Sequence, residues 1–214
     1  MKKLPFSKEH ILVLGGARSG KSQYAQSLSE LILKHNGFIT KGPDSKQCQA
    51  IKGLYIATAQ PLDNEMTQRI EEHKKNRGEM WHTIEEPYFI AKTLKEQDQK
   101  WGVILIDCLT LWMTNMILNQ QHNFIEQQVS ELVSVLQDIT TQCILVSNEV
   151  SLGIVPPDPV SREFRDRIGL LHQTLAEICQ DVVFLVAGLP AILKGRDIKK
   201  VLKNNRRNNI YEIN

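Results

Sequence analysis

The sequence predicts an α/β fold in which a mostly parallel central sheet is flanked by helices. Short apolar runs alternate with longer amphipathic stretches along the chain. Runs that are apolar at every position suit strands buried on both faces, as in a parallel sheet. This alternation predicts a doubly wound sheet whose ligand lies at the carboxyl ends of the strands. The predicted strands are 11–14, 54–57, 103–106, 144–146 and 182–187, and the predicted helices are 22–33, 63–75, 89–97, 109–118, 125–139 and 161–179.

Length and composition limit the function classes. A chain of 214 residues, 42% hydrophobic and 23% charged, predicts one soluble globular domain spanning residues 1–214. A net charge of +2 is too small for a dedicated nucleic-acid binder, so we expect no nucleic-acid partner. The chain has no apolar run long enough to cross a membrane, and its first residues lack the apolar core of a signal peptide. We therefore expect a cytoplasmic protein without a membrane span.

Two regions depart from the alternation, and the cysteines suggest no metal knuckle. Residues 35–52 are polar and contain Gly, Pro and Asp, which predicts a surface insertion. The basic tail, residues 195–214, is interpreted mainly as a frayed, solvated terminus, with contact to an anionic ligand or RNA as the alternative. The four cysteines form no CxxC pair, and Cys108 and Cys143 are predicted to be small core residues.

A phosphate-binding loop is the strongest local signal. The pattern GxxxxGK[ST] directly follows the first predicted strand and directly precedes a predicted helix. Its glycines allow a tight turn that aims backbone N–H groups at phosphate oxygens, and the helix N-terminus adds the positive end of its dipole. The lysine would neutralise phosphate charge and the final serine would bind Mg²⁺. The residues are Gly15, Gly16, Ala17, Arg18, Ser19, Gly20, Lys21 and Ser22.

A carboxylate at the end of another strand completes the expected metal site. Asp107 follows the apolar run 103–106, as the Walker B acid follows its strand in P-loop proteins. An N-cap for the helix at 109–118 is the alternative interpretation. The next strand ends in Ser147, Asn148 and Glu149, which could sense the γ-phosphate, bind substrate or cap a turn.

One helix presents a histidine followed by cations. In the segment 63–77, Asp63 can cap the helix, while Met66 and Ile70 define a buried stripe that His73 extends. Cations at a helix C-terminus complement its dipole, which is the simpler explanation of this pattern. The alternative is a histidine nucleophile presented to a nucleotide, since imidazole is largely unprotonated at neutral pH.

Several separated motifs between about residue 11 and residue 194 resemble one family. They match the order seen in the bifunctional adenosylcobinamide kinase/adenosylcobinamide-phosphate guanylyltransferases. The matching segments are GGARSGKS at 15–22, LYIATAQ at 54–60, Asp63, Glu65, Met66, Arg69, Ile70, His73, Lys74, Trp81, Glu85, VSNEV at 146–150, GIVP at 153–156, Arg162, FRD at 164–166 and Gln173.

The resemblance implies a RecA-like P-loop fold and two reactions of cobalamin biosynthesis. A nucleoside triphosphate, ATP or GTP, phosphorylates the aminopropanol hydroxyl of adenosylcobinamide. GTP then donates GMP to that phosphate through a guanylyl-histidine, which gives adenosylcobinamide-GDP and pyrophosphate. The matching histidine is His73, so the resemblance favours the nucleophile. Members of the family suggest a homo-oligomer, and a trimer is our specific guess.

The resemblance also assigns site residues. Lys21 and His73 are expected to be catalytic, and Ser22 and Asp107 to hold Mg²⁺. Glu85 could accept from guanine N1–H and N2–H, which would favour GTP over ATP. Arg162, Arg165 and Asp166 are candidates for contact with the corrinoid ring. Beyond the P-loop, the expected nucleotide contacts are Ala57, Thr58, Ala59, Lys74, Lys75, Asn76, Arg77, Glu85 and Asp107.

Some positions depart from the family, and other functions compete. The insertion at 35–52 is longer than usual, Asp107 stands where some relatives have Glu, and His172 stands where Asn is frequent. A P-loop kinase of another small molecule would use no covalent nucleotide, and His73 would then be structural. A nucleotide-switched binding module is the non-enzymatic alternative. It could contact RNA through basic residues of the tail, namely Lys199, Lys200, Lys203, Arg206 and Arg207.

Overall fold

A computed structural model describes residues 9–36, 53–61, 63–75, 78–118 and 122–200 of the chain. Within these ranges the side chains of Glu65, Arg69, His73, Lys75 and His122 are outside the description.

The described strands form one seven-stranded sheet with the order β3-β2-β4-β5-β1-β6-β7. Neighbouring strands are parallel except β6 and β7, which are antiparallel. The predicted mostly parallel sheet is therefore confirmed. One strand, β5, separates the P-loop strand β1 from β4, as in RecA-like P-loop folds. The strands are β1 (Ile11–Gly15), β2 (Gly53–Ala57), β3 (Trp81–Glu85), β4 (Ile104–Asp107), β5 (Cys143–Val146), β6 (Asp181–Val186) and β7 (Leu189–Lys194).

Helices cover both faces of the sheet, because the central strands alternate buried side chains between two cores. On β1, Ile11 and Val13 belong to the core under α1, whereas Leu12 and Leu14 belong to the core under α3 to α6. Side chains that alternate in this way are typical of a strand buried on both faces. The helices are α1 (Lys21–His35), α2 (Asn64–Lys75), α3 (Ile90–Gln97), α4 (Leu109–Leu118), α5 (His122–Asp138) and α6 (Pro159–Ile178).

Two edge strands were absent from the sequence prediction. β3 has the sequence WHTIE and is only partly buried, so polar residues interrupt its apolar pattern. β7 is mostly exposed and contains Pro190, which is tolerated at a sheet edge. The turn between β6 and β7 consists of Ala187 and Gly188, with φ of 50° and 79°. A two-residue turn with both φ values positive favours a hairpin.

The interpretation of the tail as frayed is wrong for residues 195–200. Ile198 is 2% exposed and packs with the core under α1. Arg196 forms ion pairs with Glu9 and Asp181, and its backbone N–H donates to Asp181. Residues 201–214 of the tail and 37–52 of the insertion lie outside the described residues.

The described cysteines are core residues, as predicted for Cys108 and Cys143. Both are buried and reduced, as is Cys179, whereas Cys48 lies outside the description. None of the helices that the structure describes is long and apolar enough to span a bilayer.

Candidate active site

The phosphate-binding loop connects β1 to α1, and two of its glycines are required by the backbone. At Gly15, with φ of 151°, a Cβ would lie 2.5 Å from the carbonyl oxygen of Leu185. Gly20 precedes α1 with φ of 91°, in the left-handed region. These conformations are costly for residues with a side chain. The loop therefore has the backbone that brings its N–H groups and the start of α1 to one anion-binding position.

The P-loop lysine is buried in this loop. Lys21 is 7% exposed, and its Nζ donates to the Gly16 carbonyl oxygen at 2.6 Å and to Ser19 Oγ at 3.4 Å. A nucleotide phosphate would offer this ammonium a stronger, charged acceptor. The β6–β7 turn supports the same loop, because the Gly188 N–H donates to the Ser19 carbonyl oxygen at 3.0 Å.

Asp107 lies at the carboxyl end of β4, in the position expected of a Walker B acid. Its Oδ2 accepts a 2.7 Å hydrogen bond from the hydroxyl of Tyr55, which is 1% exposed. Burial and the neighbouring Asp107 carboxylate raise the pKa of the Cys108 thiol to about 11, while the Lys21 ammonium acts in the opposite direction. Lys21 and Asp107 therefore both influence the ionisation of the Cys108 thiol, in opposite directions.

A buried polar network ties together the ends of three strands. Thr58 Oγ1 accepts from the Cys108 backbone N–H at 2.8 Å and donates to the Cys108 carbonyl oxygen at 2.7 Å. Asn115 Nδ2 donates to the carbonyl oxygens of Thr58, at 2.8 Å, and Pro87, at 3.1 Å. The segments that follow β2, β3 and β4 are thereby held in fixed positions. Tyr55 and Asn115 were not predicted as site residues, although an Asn in the apolar helix LTLWMTNMIL is a signal for the second.

The helix α2 begins as predicted and is connected to β3 by an ion pair. Asp63 Oδ1 accepts from the Met66 backbone N–H at 2.7 Å, which confirms the cap. Lys74 on α2 forms an ion pair with Glu85 at the end of β3. Lys74 and Glu85, both predicted to contact the nucleotide, are therefore in direct contact with each other.

The predicted apolar stripe of α2 is half-buried at Met66 and Ile70 rather than fully buried. His73 and Lys75 belong to α2 by their backbone, but their side chains are outside the description. Asn76 and Arg77 lie outside the described residues altogether.

The end of β5 adjoins the start of the P-loop. The Glu149 backbone N–H donates to the Gly15 carbonyl oxygen at 2.9 Å. The Glu149 carboxylate accepts from the backbone N–H groups of Ser151 and Leu152, which agrees with the turn-capping interpretation. Partial burial disfavours the ionised carboxylate, but the hydrogen bonds from Ser151 and Leu152 outweigh it and lower the pKa of Glu149.

A buried histidine lies behind this strand end. His172 on α6 forms a 2.7 Å hydrogen bond through Nε2 with the hydroxyl of Ser147. Burial lowers the pKa of His172 to about 4, against a smaller opposite effect of Glu149. At neutral pH the ring is therefore uncharged.

The family model for "Cobinamide kinase / cobinamide phosphate guanyltransferase" matches residues 11–193 of the chain. The chain belongs to this family. The match includes the P-loop, α2, β3 and the ends of β4 and β5, so it covers every described element of the site.

Relatives in this family match nearly along their whole length. The bifunctional adenosylcobalamin biosynthesis protein CobP of Pseudomonas aeruginosa is 42% identical over 190 residues, which are 87% of this chain and 98% of that protein. The bifunctional adenosylcobalamin biosynthesis protein CobU of Escherichia coli is 33% identical over 197 residues, 86% of this chain and 99% of that protein. These matches confirm the predicted family. They also confirm the prediction of a bifunctional kinase and guanylyltransferase.

Solved structures with a similar chain path include two proteins of low identity. The flagellar accessory protein FlaH from Methanocaldococcus jannaschii has a TM-score of 0.48 and 13% identity, covering 90% of this chain and 80% of that chain. The RadB recombinase has a TM-score of 0.46 and 14% identity, covering 89% and 83%.

Within the family fold, the strand ends bring together most of the predicted site residues that the structure describes. The P-loop follows β1, Ala57 ends β2, and Thr58 and Ala59 follow it. Thr58 contacts the backbone next to Asp107, and Lys74 pairs with Glu85.

Proposed function

We propose that this chain phosphorylates adenosylcobinamide and then transfers GMP from GTP to the phosphate it has added. The 42% identity to the Pseudomonas aeruginosa protein over 98% of that protein is the observation that carries the proposal. The P-loop backbone and the buried Lys21 support it, because both reactions need a triphosphate held by its charged oxygens.

In the kinase step, the P-loop would hold the triphosphate while the acceptor hydroxyl approaches the γ-phosphorus. The hydroxyl oxygen attacks this phosphorus, the bond from phosphorus to the β–γ bridging oxygen breaks, and a nucleoside diphosphate leaves. The hydroxyl proton passes to solvent. Lys21, which now donates to the Gly16 carbonyl, would turn its donors to the phosphate oxygens and stabilise the charge that moves onto the leaving group.

In the second step, the imidazole of His73 would be the nucleophile. Its ring nitrogen attacks the α-phosphorus of GTP, the bond to the α–β bridging oxygen breaks, and pyrophosphate leaves. A phosphate oxygen of the acceptor then attacks the same phosphorus and the P–N bond breaks. The proton on the other ring nitrogen is lost to solvent when the P–N bond forms and is regained when it breaks. We expect α2 to change position on nucleotide binding, so that His73 reaches the α-phosphate.

Mg²⁺ fits the donor set at this edge of the sheet. Among the described residues, no group of three or more His, Cys, Asp or Glu side chains could hold a metal by itself. Mg²⁺ usually binds one or two protein oxygens and completes its coordination with substrate phosphates and water. Ser22 and Asp107 would supply the protein oxygens. When bound, it would neutralise developing charge on the phosphate oxygens.

The ion pair between Lys74 and Glu85 supports a role for both in recognising GTP. A Glu85 carboxylate could accept from two guanine N–H groups that adenine lacks, while Lys74 would move to a phosphate. Replacement of Glu85 by Gln should therefore reduce the preference for GTP in guanylyl transfer. Full preference in the Glu85→Gln variant would refute this role.

Three further parts of the proposal concern the whole protein. Residues 1–214 would act as one domain, with an insertion that starts after α1 and ends at residue 52, later than the predicted start at 35 because His35 belongs to α1. Residues 195–214 would be a tail that begins against the core. The protein would work in the cytoplasm. It would form a homo-oligomer, with a trimer as the specific state to test.

Incubation with cobinamide tests both reactions. With ATP or GTP and Mg²⁺, mass spectrometry should detect cobinamide phosphate, and GTP should further give cobinamide-GDP and pyrophosphate. The Lys21→Ala variant should lose the first product. Phosphorylation without guanylyl transfer would favour a plain kinase, and nucleotide binding without either product would favour a binding module.

A further inference from the structure

An open groove extends from the start of the P-loop along α6. Its volume is about 720 Å³, within the range of pockets that bind small molecules. Leu14 of β1 lies in it, next to the P-loop, and Glu149 at its edge donates its backbone N–H to the Gly15 carbonyl oxygen. A molecule in this groove therefore lies beside the phosphate-binding loop.

The loop that forms one wall is held by hydrogen bonds on both sides. The Glu149 carboxylate accepts from the N–H groups of Ser151 and Leu152. Arg162 donates to the carbonyl oxygens of Pro156, at 3.1 Å, and Pro157, at 2.6 Å. The segment between these contacts is thus fixed at its base.

This fixed loop presents apolar side chains to solvent. Leu152 is 80% exposed, Ile154 96% and Val155 58%, and Leu170 across the groove on α6 is 63% exposed. Val155 and Leu170 line the groove directly. Single exposed apolar residues are ordinary, but two that line the groove, with Leu152 and Ile154 exposed in the same loop, favour a binding surface.

The groove also carries polar groups suited to amides. Its lining includes Arg165, Asp166 and Gln173 together with Glu149. Arg165 lies 3.6 Å from Asp166, so the pair offers a donor and an acceptor side by side. Carboxylates accept from amide N–H₂ groups, and a guanidinium donates to amide carbonyls.

We infer that this groove binds the corrinoid acceptor. The inference rests on the proposed function, because it assigns a place to the substrate of that function. A corrinoid has apolar methyl groups and a rim of acetamide and propionamide side chains. The methyl groups suit the apolar loop, and the amides suit the polar lining residues. The openness of one side allows the bulk of the macrocycle to extend beyond the groove, with its aminopropanol arm directed towards the P-loop.

A corrinoid explains the groove better than a second copy of the chain. A subunit that filled the groove down to Leu14 would cover the approach to the phosphate-binding loop at Gly15.

The test uses the Val155→Asn and Leu170→Asn variants of the full chain, with Leu193→Asn on β7 as the matched control. Leu193 is an apolar residue that is 62% exposed and does not line the groove. The KM for cobinamide in the kinase reaction should rise about tenfold in each groove variant, because apolar contacts with the acceptor are lost. The control should keep the parental KM.

Two other readouts separate the groove from the rest of the enzyme. The amount of protein that GTP guanylylates in the absence of cobinamide, measured by intact-protein mass, should be the same in both groove variants as in the parent. Equilibrium dialysis of cobinamide, detected by its visible absorbance, should show the same weakening as KM.

Three other results would overturn either the groove assignment or the proposed function. If the parent converts cobinamide and both variants keep its KM, the groove assignment is wrong and the proposed function stands. A rise in KM that appears only with dissociation of an oligomer overturns the assignment in favour of a subunit interface. If the parent converts neither cobinamide nor adenosylcobinamide, the proposed function fails, and dialysis alone decides whether the groove binds a corrinoid.

Discussion

Tyr55 on β2 donates a 2.7 Å hydrogen bond to the carboxylate of Asp107 on the neighbouring strand β4. The two strands are parallel neighbours, with Tyr55 opposite Leu105 and Ala57 opposite Asp107. The phenol is 1% exposed, so it is fixed by the core under α1. A tyrosine buried in the core therefore orients the proposed metal-binding carboxylate through this hydrogen bond.

Replacement of Tyr55 by Phe should weaken binding of the metal. The remaining Asp107 carboxylate loses the donor that orients it, and loss of such outer contacts commonly weakens metal binding by about tenfold or more. The Mg²⁺ concentration for half-maximal kinase rate should rise by about tenfold, with a similar loss in Mn²⁺ binding to the protein–nucleotide complex measured by electron paramagnetic resonance.

The matched control is Tyr24→Phe, which removes the hydroxyl of another buried tyrosine in the same core. It should leave the Mg²⁺ dependence unchanged. An Asp107→Asn variant that weakens Mn²⁺ binding, together with a Tyr55→Phe variant that does not, would show that Tyr55 has no positioning role.

The buried His172 should make stability depend on pH. Its pKa in the folded chain is about 4, below its ordinary value of 6.5, so the unfolded chain binds the proton first as pH falls. Stability is therefore fully present above about pH 6.5 and declines as pH decreases towards 4. Between pH 6.5 and 5 this group should cost about 2 kcal/mol of unfolding free energy.

Denaturant unfolding of the parent and of a His172→Asn variant measures this effect. Burial also lowers the pKa of His10, but His10 is present in both proteins, so the difference between them isolates His172. As pH falls, the unfolding free energy of the parent should decrease more than that of the His172→Asn variant. Parallel curves between pH 7 and 5 would rule out a neutral, buried His172.

Lys194 should stabilise the C-terminal end of α6. Its ammonium donates to the carbonyl oxygens of Ala176, Glu177 and Cys179 at 2.8 to 3.0 Å. A cation at this end also complements the helix dipole. The Lys194→Met variant should lose about 1 kcal/mol of unfolding free energy.

Lys92→Met is the control for this prediction. Lys92 is exposed and pairs with Glu96 at 3.9 Å, a geometry that contributes little. Its variant should remain within about 0.5 kcal/mol of the parent. Equal unfolding free energies for the two variants would contradict the capping role of Lys194.

The sequence identifies the central strands well, because burial on both faces leaves a continuous apolar run. The predicted run 11–14 is one residue shorter than β1 at its C-terminal end, and the run 103–106 is offset from β4 by one residue at each end. The edge strands β3 and β7 are less buried and carry polar residues or Pro, so their pattern is weak. The P-loop was predictable because it is local, with all its residues consecutive in the chain.

The contacts that join distant segments were not predictable in this way. Tyr55 meets Asp107 across 52 positions, and Asn115 meets Thr58 across 57. No local spacing signals such pairs, since strand order decides which segments become neighbours. The anchoring of the tail by Ile198 was missed for a similar reason, because one apolar residue among cations gives no periodic signal.

The central claim is that His73 carries GMP during the second reaction. Intact-protein mass after incubation with GTP and Mg²⁺ tests it most directly, at alkaline pH because a phosphoramidate is labile in acid. We expect the parent to gain the mass of one guanylyl group, which is GMP less water, and a His73→Ala variant that still transfers the γ-phosphate to gain none. A parent that transfers the γ-phosphate without any adduct, or an adduct that persists in the variant, would contradict the account.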